Sequence, residues 1–528
     1  MSKKIILILL IFSFNYGFTQ LNQQSKKITQ KFFSDLNELE NITPALQKKK
    51  GFTNYKELLE YIDNKIVQYP EIISKKYIGE SQKGYKIPMV YLSNKNNNKS
   101  KIKVWMQGGL HGNEPSSTES LLYLIHLILE NNEYKYLLDN IDLAILPMAN
   151  IDGYLKNSRY AANGLDLNRD HTKLMAPETR ASKKVFAEFD PHVSLDFHEY
   201  RPFRKDFAQL STIGISNPYD VMFLHTGNLN VPINIRNIID TLFVKNAEKS
   251  LDKLNLRHRH YMKSEKYKGE INFSTGSNTA RSSSNFYALN NGIATLFEIR
   301  GVGIGKTSFK RRMVSGFSVA TSFLQTAYDN NDFLKFQLDL ANNHSENIVV
   351  KSERSIYKDT IYAIDLESNK IIMLPTTMRD AKRSIPVLTR SRPDFYALKS
   401  NNVNVINKIE NLGIKKIDIN SDTIIRAEKY LVVNFKNDFK PYEKMKMQEV
   451  KTKIINDNIK FTKGDVLIPL NQKKSNLIVE LMEPEAPNSF VSFGIMKTNK
   501  EDILTAVSYT HLRAHETEAD LVCRLLLE

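Results

Sequence analysis

Through the first part of the chain, short dense apolar runs alternate with longer segments of helical period. IKVWM at 102–106, IDLAILPM at 141–148, VSLDF at 193–197 and GIATLFEI at 292–299 are runs of strand type. Between them, PSSTESLLYLIHLILE places Pro115 at a first helical position and puts Leu121, Leu124, Ile125 and Ile128 on one face. ETRASKKVFAEF and the segment around IRNIIDTLFVKNAEKSLDKL read as further helices. Polar, helix-forming segments precede this region, which runs from about Tyr77 to about Tyr328. Alternating strands and helices predict an α/β layered fold on a largely parallel or mixed sheet.

From Asn331 the pattern changes. SIYKDTIYAIDL, KIIMLPT, YLVVNF and NLIVELM read as short strands separated by Asn, Lys and Pro. NNVNVINKIENLG reads as the one helix among them, ended by Gly413. The expected organisation is an α/β domain over residues 26–330 and a smaller, mostly β domain over 331–507. Ahead of both, Lys3 and Lys4 lead into an apolar stretch from Ile5 to Phe14, and Gly17 and Thr19 offer small residues before a cut. This predicts a signal peptide over residues 1–19 and export to periplasm, cell surface or medium. The stretch is shorter than the roughly 20 residues that span a bilayer, so no transmembrane anchor is expected after signal removal.

Composition changes this picture little. A chain of 528 residues exceeds one ordinary core, and 41% hydrophobic with 25% charged residues fits a soluble globular protein. The formal net charge of +16 is scattered among Asn, as in SNKNNNKSK, and reads as a solvated surface, so no nucleic-acid partner is expected. Cys523 is the single cysteine, which excludes a disulfide framework. It lies in SYTHLRAHETEADLVCRLLLE, a tail at 508–528 that resembles translated adapter DNA, so His511, His515 and Cys523 are set aside as a metal trio.

The candidate chemistry sits where the strands end. His111 and Glu114 follow the 102–106 run, His198 follows 193–197, and Glu298 closes 292–299. In open α/β sheets, ligands bind outside the carboxyl ends of the strands. Two imidazoles and a carboxylate leave one position on tetrahedral zinc for water, as at a catalytic site. A carboxylate in an apolar strand is costly without a purpose, which singles out Glu298. Asp196 and Glu199 beside His198, with His126, His171 and His192, read as structural, and Glu480, Glu483 and Glu485 as surface charge.

The ordered set is more specific than its parts. His111 to Glu114 (H-G-N-E), Asn150 to Gly153 (N-x-D-G), Arg159, Asp166 to Arg169 (D-L-N-R), Phe197–His198 and Phe297 to Arg300 (F-E-I-R) together resemble the zinc carboxypeptidase family, the carboxypeptidase A/B relatives. The resemblance covers roughly residues 50 to 330. It implies an α/β/α sandwich on a mixed, mainly eight-stranded sheet, with one Zn2+ per chain held by His111, Glu114 and His198. It further implies Glu298 as general base, Arg159 at the oxyanion, and Asn168 with Arg169 on the terminal carboxylate of a peptide substrate. Asp166 would orient the first imidazole. The implied activity is an exported metallopeptidase that removes C-terminal residues. The alternatives are an amidase or acylase acting on cell-wall peptide or an N-acyl amino acid, and a non-catalytic binding protein. Two features depart from the family pattern. Asn113 replaces an Arg, and FSTGSNTARSSSN lacks the Tyr expected about twenty residues before the catalytic Glu, with Tyr267 and Tyr287 outside it. Arg281 to Ser284 fall where specificity is set and favour a polar or acidic terminal residue. RPDFYALKSNNVNVINKIENLGIKK and LIVELMEPEAPNSFVSFG resemble an accessory domain of larger bacterial members.

Overall fold

The computed structural model describes residues 24–507 apart from 37–38, 97–99 and 344–346. The expected signal peptide at 1–19 and the tail at 508–528 lie outside the described residues. The centre is a mixed eight-stranded sheet in the order Ile73–Glu80, Lys86–Leu92, Ile141–Leu146, Ile102–Gln107, Val193–Tyr200, Ile293–Arg300, Val221–His225, His258–His260. Four inner strands, Ile141–Leu146 through Ile293–Arg300, run parallel, and antiparallel pairs flank them. Burial on both faces accounts for their dense apolar runs, and Val193–Tyr200 is buried along its whole length although half of its residues are polar.

Helices cover both faces. Trp105 and Gln107 point one way, meeting Phe186 of Pro177–Phe189 and Tyr287 of Ser283–Leu289. Phe297 points the other way, edge-on to Phe323 of Phe309–Asp329. The helix Pro115–Glu130 forms as its period predicts, but it is buried on every side except at His126 and Glu130. Phe309–Asp329 covers its outer side, with Tyr123 and Phe317 stacked 5.0 Å apart. The contact is close enough that a Cβ on Gly316 would meet Ser120 Oγ at 2.2 Å. The helical segment after Pro232 divides into Ile233–Ile238, a π-helical turn Ile239–Val244 and Lys245–Lys253.

After residue 330 the structure corrects the sequence reading in three ways. SIYKDTIYAIDL and KIIMLPT are parts of a long hairpin, Asn347–Asp365 and Lys370–Ser391, of 19 and 22 residues. NLIVELM is a helix, Ser475–Met482, buried throughout; a short apolar run buried on all sides carries no period to separate helix from strand. It joins Asn331–Leu340 and Val403–Asn411, so the described residues hold three helices here rather than one. Glu480 and Glu483, expected as surface charge, are buried: Asn228 and Asn230 donate to the first, and Tyr396, Tyr430 and Arg390 to the second. The long hairpin joins a five-stranded sheet with Ile215–Ser216, Glu270–Thr275 and Met262–Tyr267, pairing Phe273 with Met378 in parallel. A six-stranded sheet follows. The main hydrophobic cluster runs from Trp105 and Phe197 without a break to Tyr396 and Ile478.

Candidate metal centre

The turn after Ile102–Gln107 is set by close backbone packing. Gly109 takes a positive φ of 62°, and a Cβ on Gly112 would meet the Gly153 carbonyl carbon at 2.0 Å. The chain therefore swings His111 over the sheet edge and enters the helix at Pro115. Glu114 stands at the helix cap position but makes no capping hydrogen bond; its carboxylate faces the imidazoles instead. His111 Nδ1 lies 2.8 Å from Glu114 Oε1, His198 Nδ1 2.9 Å from Glu114 Oε2, and the two Nδ1 atoms 3.0 Å from each other. All three side chains are buried.

The outer nitrogens are held by carboxylates. His111 Nε2 donates to Asp166 Oδ1 at 3.0 Å and His198 Nε2 to Asp196 Oδ2 at 2.8 Å. Such partners fix the tautomer and raise ligand basicity. Despite burial, which opposes it, Asp196 and Glu114 raise the pKa of His198 well above the usual imidazole range. Against the same opposition, the imidazoles hold Glu114 well below the usual carboxylate range. An inward-facing pair of Nδ1 atoms and a carboxylate, each anchored from behind, is a donor set that fits zinc.

Around this centre, Arg159 donates to Asp166 Oδ2 at 2.8 Å and reaches Glu114 Oε1 at 3.4 Å. Glu298 is brought in by strand register, pairing directly with His198 across the parallel strands. Burial pushes its carboxyl up to about 7, with the positive charges of His198, His111 and Arg159 pulling the other way. Asp166 caps the short turn Leu167–Arg169, accepting from Asn168 N at 2.9 Å. Asn168 Oδ1 accepts from Ser283 N at 2.9 Å, tying this turn to the segment expected to set specificity. Arg281 in that segment donates to Asn488 and lies 4.8 Å from the Tyr442 ring centre.

Three residues escaped the sequence reading. Asp196, read as structural, is the carboxylate behind His198; the D-x-H spacing in a strand puts both on one face and was a usable signal. Tyr261 follows the last strand of the sheet, and burial and the Glu298 charge raise its hydroxyl pKa, opposed by Arg204, Arg169 and Arg159. Its phenol therefore shares the field of the site, whereas Tyr287 bonds Gln107 and Lys183, and Tyr267 lies against Arg379. Glu443, held at a positive φ of 47°, accepts from Asp166 N at 2.9 Å and so brings the C-terminal region to the site. No sequence signal marked it.

A family model described as zinc carboxypeptidase matches residues 58–203. Carboxypeptidase 2 of Trichophyton rubrum is 32% identical over 441 residues, covering 80% of this chain and 80% of its own. Carboxypeptidase 2 of Trichophyton tonsurans is 31% identical over 434 residues, with the same 80% coverage of each. Among solved structures, a metallo-carboxypeptidase from Burkholderia cenocepacia is 16% identical, covering 53% of this chain and 71% of its own with a TM-score of 0.42. On the identity and coverage of the curated relatives, the chain belongs to the zinc carboxypeptidase family and is a zinc metallocarboxypeptidase.

Proposed function

We propose that the chain is an exported enzyme that hydrolyses the C-terminal peptide bond of peptides, with His111, Glu114 and His198 holding the zinc. The observation that carries this is the convergence of those three donors with Glu298 in register beside His198. Zinc held there supplies a Lewis acid that acidifies water and polarises the scissile carbonyl. Glu298 accepts the proton of the attacking water and then delivers it to the leaving amine, a role suited to a carboxyl poised near neutrality. Arg159 offers its guanidinium to the oxyanion that develops on the carbonyl. Arg169 pairs with the terminal carboxylate as a planar fork, and the Asn168 amide, its oxygen fixed by Ser283, turns its Nδ2 to the same group. Tyr261 takes the place of the tyrosine absent before Glu298 and donates its hydroxyl to the substrate backbone. Residues 26–330 carry this chemistry and 331–507 act as an accessory part. Among the described residues no helix is long and apolar enough to cross a membrane. The apolar start of the sequence supports export.

The test compares peptides with free and amidated C-termini, with and without chelator. Release of the last residue from free acids alone, abolished by chelation and restored by zinc, is expected. Equal cleavage of amides would remove Asn168 and Arg169 from their role, and chelator-resistant turnover would remove the metal mechanism.

A further inference from the structure

A second group of donors lies on the opposite face of the sheet. His225 ends Val221–His225, Asp240 sits in the π-helical turn Ile239–Val244, and His260 ends His258–His260. His225 pairs with Thr295, an odd number of residues from Glu298, so the two side chains face away from each other across the sheet. One donor atom from each residue falls within 4.8 Å of the others. His225 Nε2 is 3.2 Å from Asp240 Oδ1, and His260 Nε2 is 3.5 Å from the same oxygen. Donors about 2.1 Å from a tetrahedral zinc stand about 3.4 Å apart, so both separations match a shared ion. Two imidazoles with one carboxylate suit zinc better than calcium or magnesium, which prefer oxygen alone. Asp240 lies in a π-helical turn, a distortion frequently found at functional sites.

The place already accepts a cation. Lys382 Nζ lies 3.2 and 3.3 Å from the Asp240 oxygens and 3.2 Å from His260 Nε2. Its stem is flexible and partly exposed, and Asp240 and His260 are each about a third exposed, which opens a path from solvent. We propose that His225, Asp240 and His260 form a second divalent-cation site of the zinc type, in which the ion displaces the Lys382 ammonium. His260 immediately precedes Tyr261, whose backbone N–H bonds Phe223 at 2.8 Å. An ion held by His260 therefore fixes the chain next to Tyr261, the residue proposed above to meet the substrate. That consequence for turnover rests on the reading of Tyr261 above; the presence of the ion does not.

The experiment equilibrates the purified chain with zinc, desalts it and measures the metal-to-protein ratio by mass spectrometry. The expected ratio is two for the unmodified chain and one for Asp240→Asn and for His260→Gln. Lys382→Met is expected to keep two and to hold the second ion about tenfold more tightly, because the competing charge is gone. A ratio of one that persists in Asp240→Asn and in Lys382→Met overturns the proposal. A ratio of one that Asp240→Asn abolishes supports this site and sinks the His111–Glu114–His198 reading instead. Should a variant fail to fold, cobalt(II) titration of the unmodified chain decides: two spectrally distinct equivalents support the site, and saturation at one overturns it.

Discussion

Glu298 is the residue on which the proposed chemistry turns, and its environment makes two measurable statements. Glu298→Gln keeps the metal donors and removes the base, so zinc content should be unchanged and kcat should fall by about a hundredfold or more; activity close to the unmodified level would take Glu298 out of the mechanism. The carboxyl stands near 7 because burial disfavours its charge. A dication held by His111, Glu114 and His198 would favour the charged form and lower the pKa. Carbon-13 titration of the metal-free chain should therefore place Glu298 near neutrality, and zinc should move it down. Because the base acts only when ionised, the acid limb of kcat/KM rises with pH through that lowered value, below 7. Behind the donors, Asp196→Asn leaves His198 in place but loosens its orientation, and zinc affinity should drop about 10- to 100-fold. An unchanged dissociation constant would show that the Asp196 contact does not tune the site.

At the scale of elements, the donors are aimed by strand ends and by one tight turn. Gly112→Ala tests the turn. The added carbon has no room against the backbone of Ile151–Leu155, so His111 and the helix it leads into must shift. Overpacking of this kind costs about 1–3 kcal/mol, and thermal unfolding together with zinc titration should show lower stability and weaker binding together. Normal zinc affinity in a destabilised Gly112→Ala chain would mean that the turn supports the fold without aiming His111. Much of this was legible in the sequence. The strand runs and the helix at Pro115 follow from local pattern, because side-chain period and Pro placement are local properties, whereas His198, expected just past its strand, lies inside Val193–Tyr200. The helix at Ser475 was not legible, since burial on all sides erases the period that distinguishes helix from strand.

At the scale of the whole molecule, the region after residue 330 is fastened to the rest through buried polar groups. Glu480 is buried and accepts from Asn228 and Asn230, and burial pushes its carboxyl up to about 7. A raised acid contributes stability that is fully present below about 4.5, its unfolded value, and is lost as pH rises through about 7. Denaturant unfolding should accordingly show a loss between those values. Glu480→Gln keeps the Asn contacts and should flatten that part of the profile; an unaltered pH dependence would assign it to other groups. Glu443, from the same region, reaches the backbone of Asp166 beside the metal donors. The C-terminal region thus touches the site as well as the core.

By itself the sequence determined the strand runs and helical periods, their order, and hence the α/β class, because those depend on neighbours a few positions away. Only the tertiary structure decided that Glu443 reaches the backbone of Asp166, that Tyr261 shares the field of Glu298, and that His225, Asp240 and His260 meet. These contacts join segments distant in the chain through sheet register and the packing of one layer on another. No local pattern records such pairings, since each partner taken alone reads as an ordinary polar residue on a strand or helix.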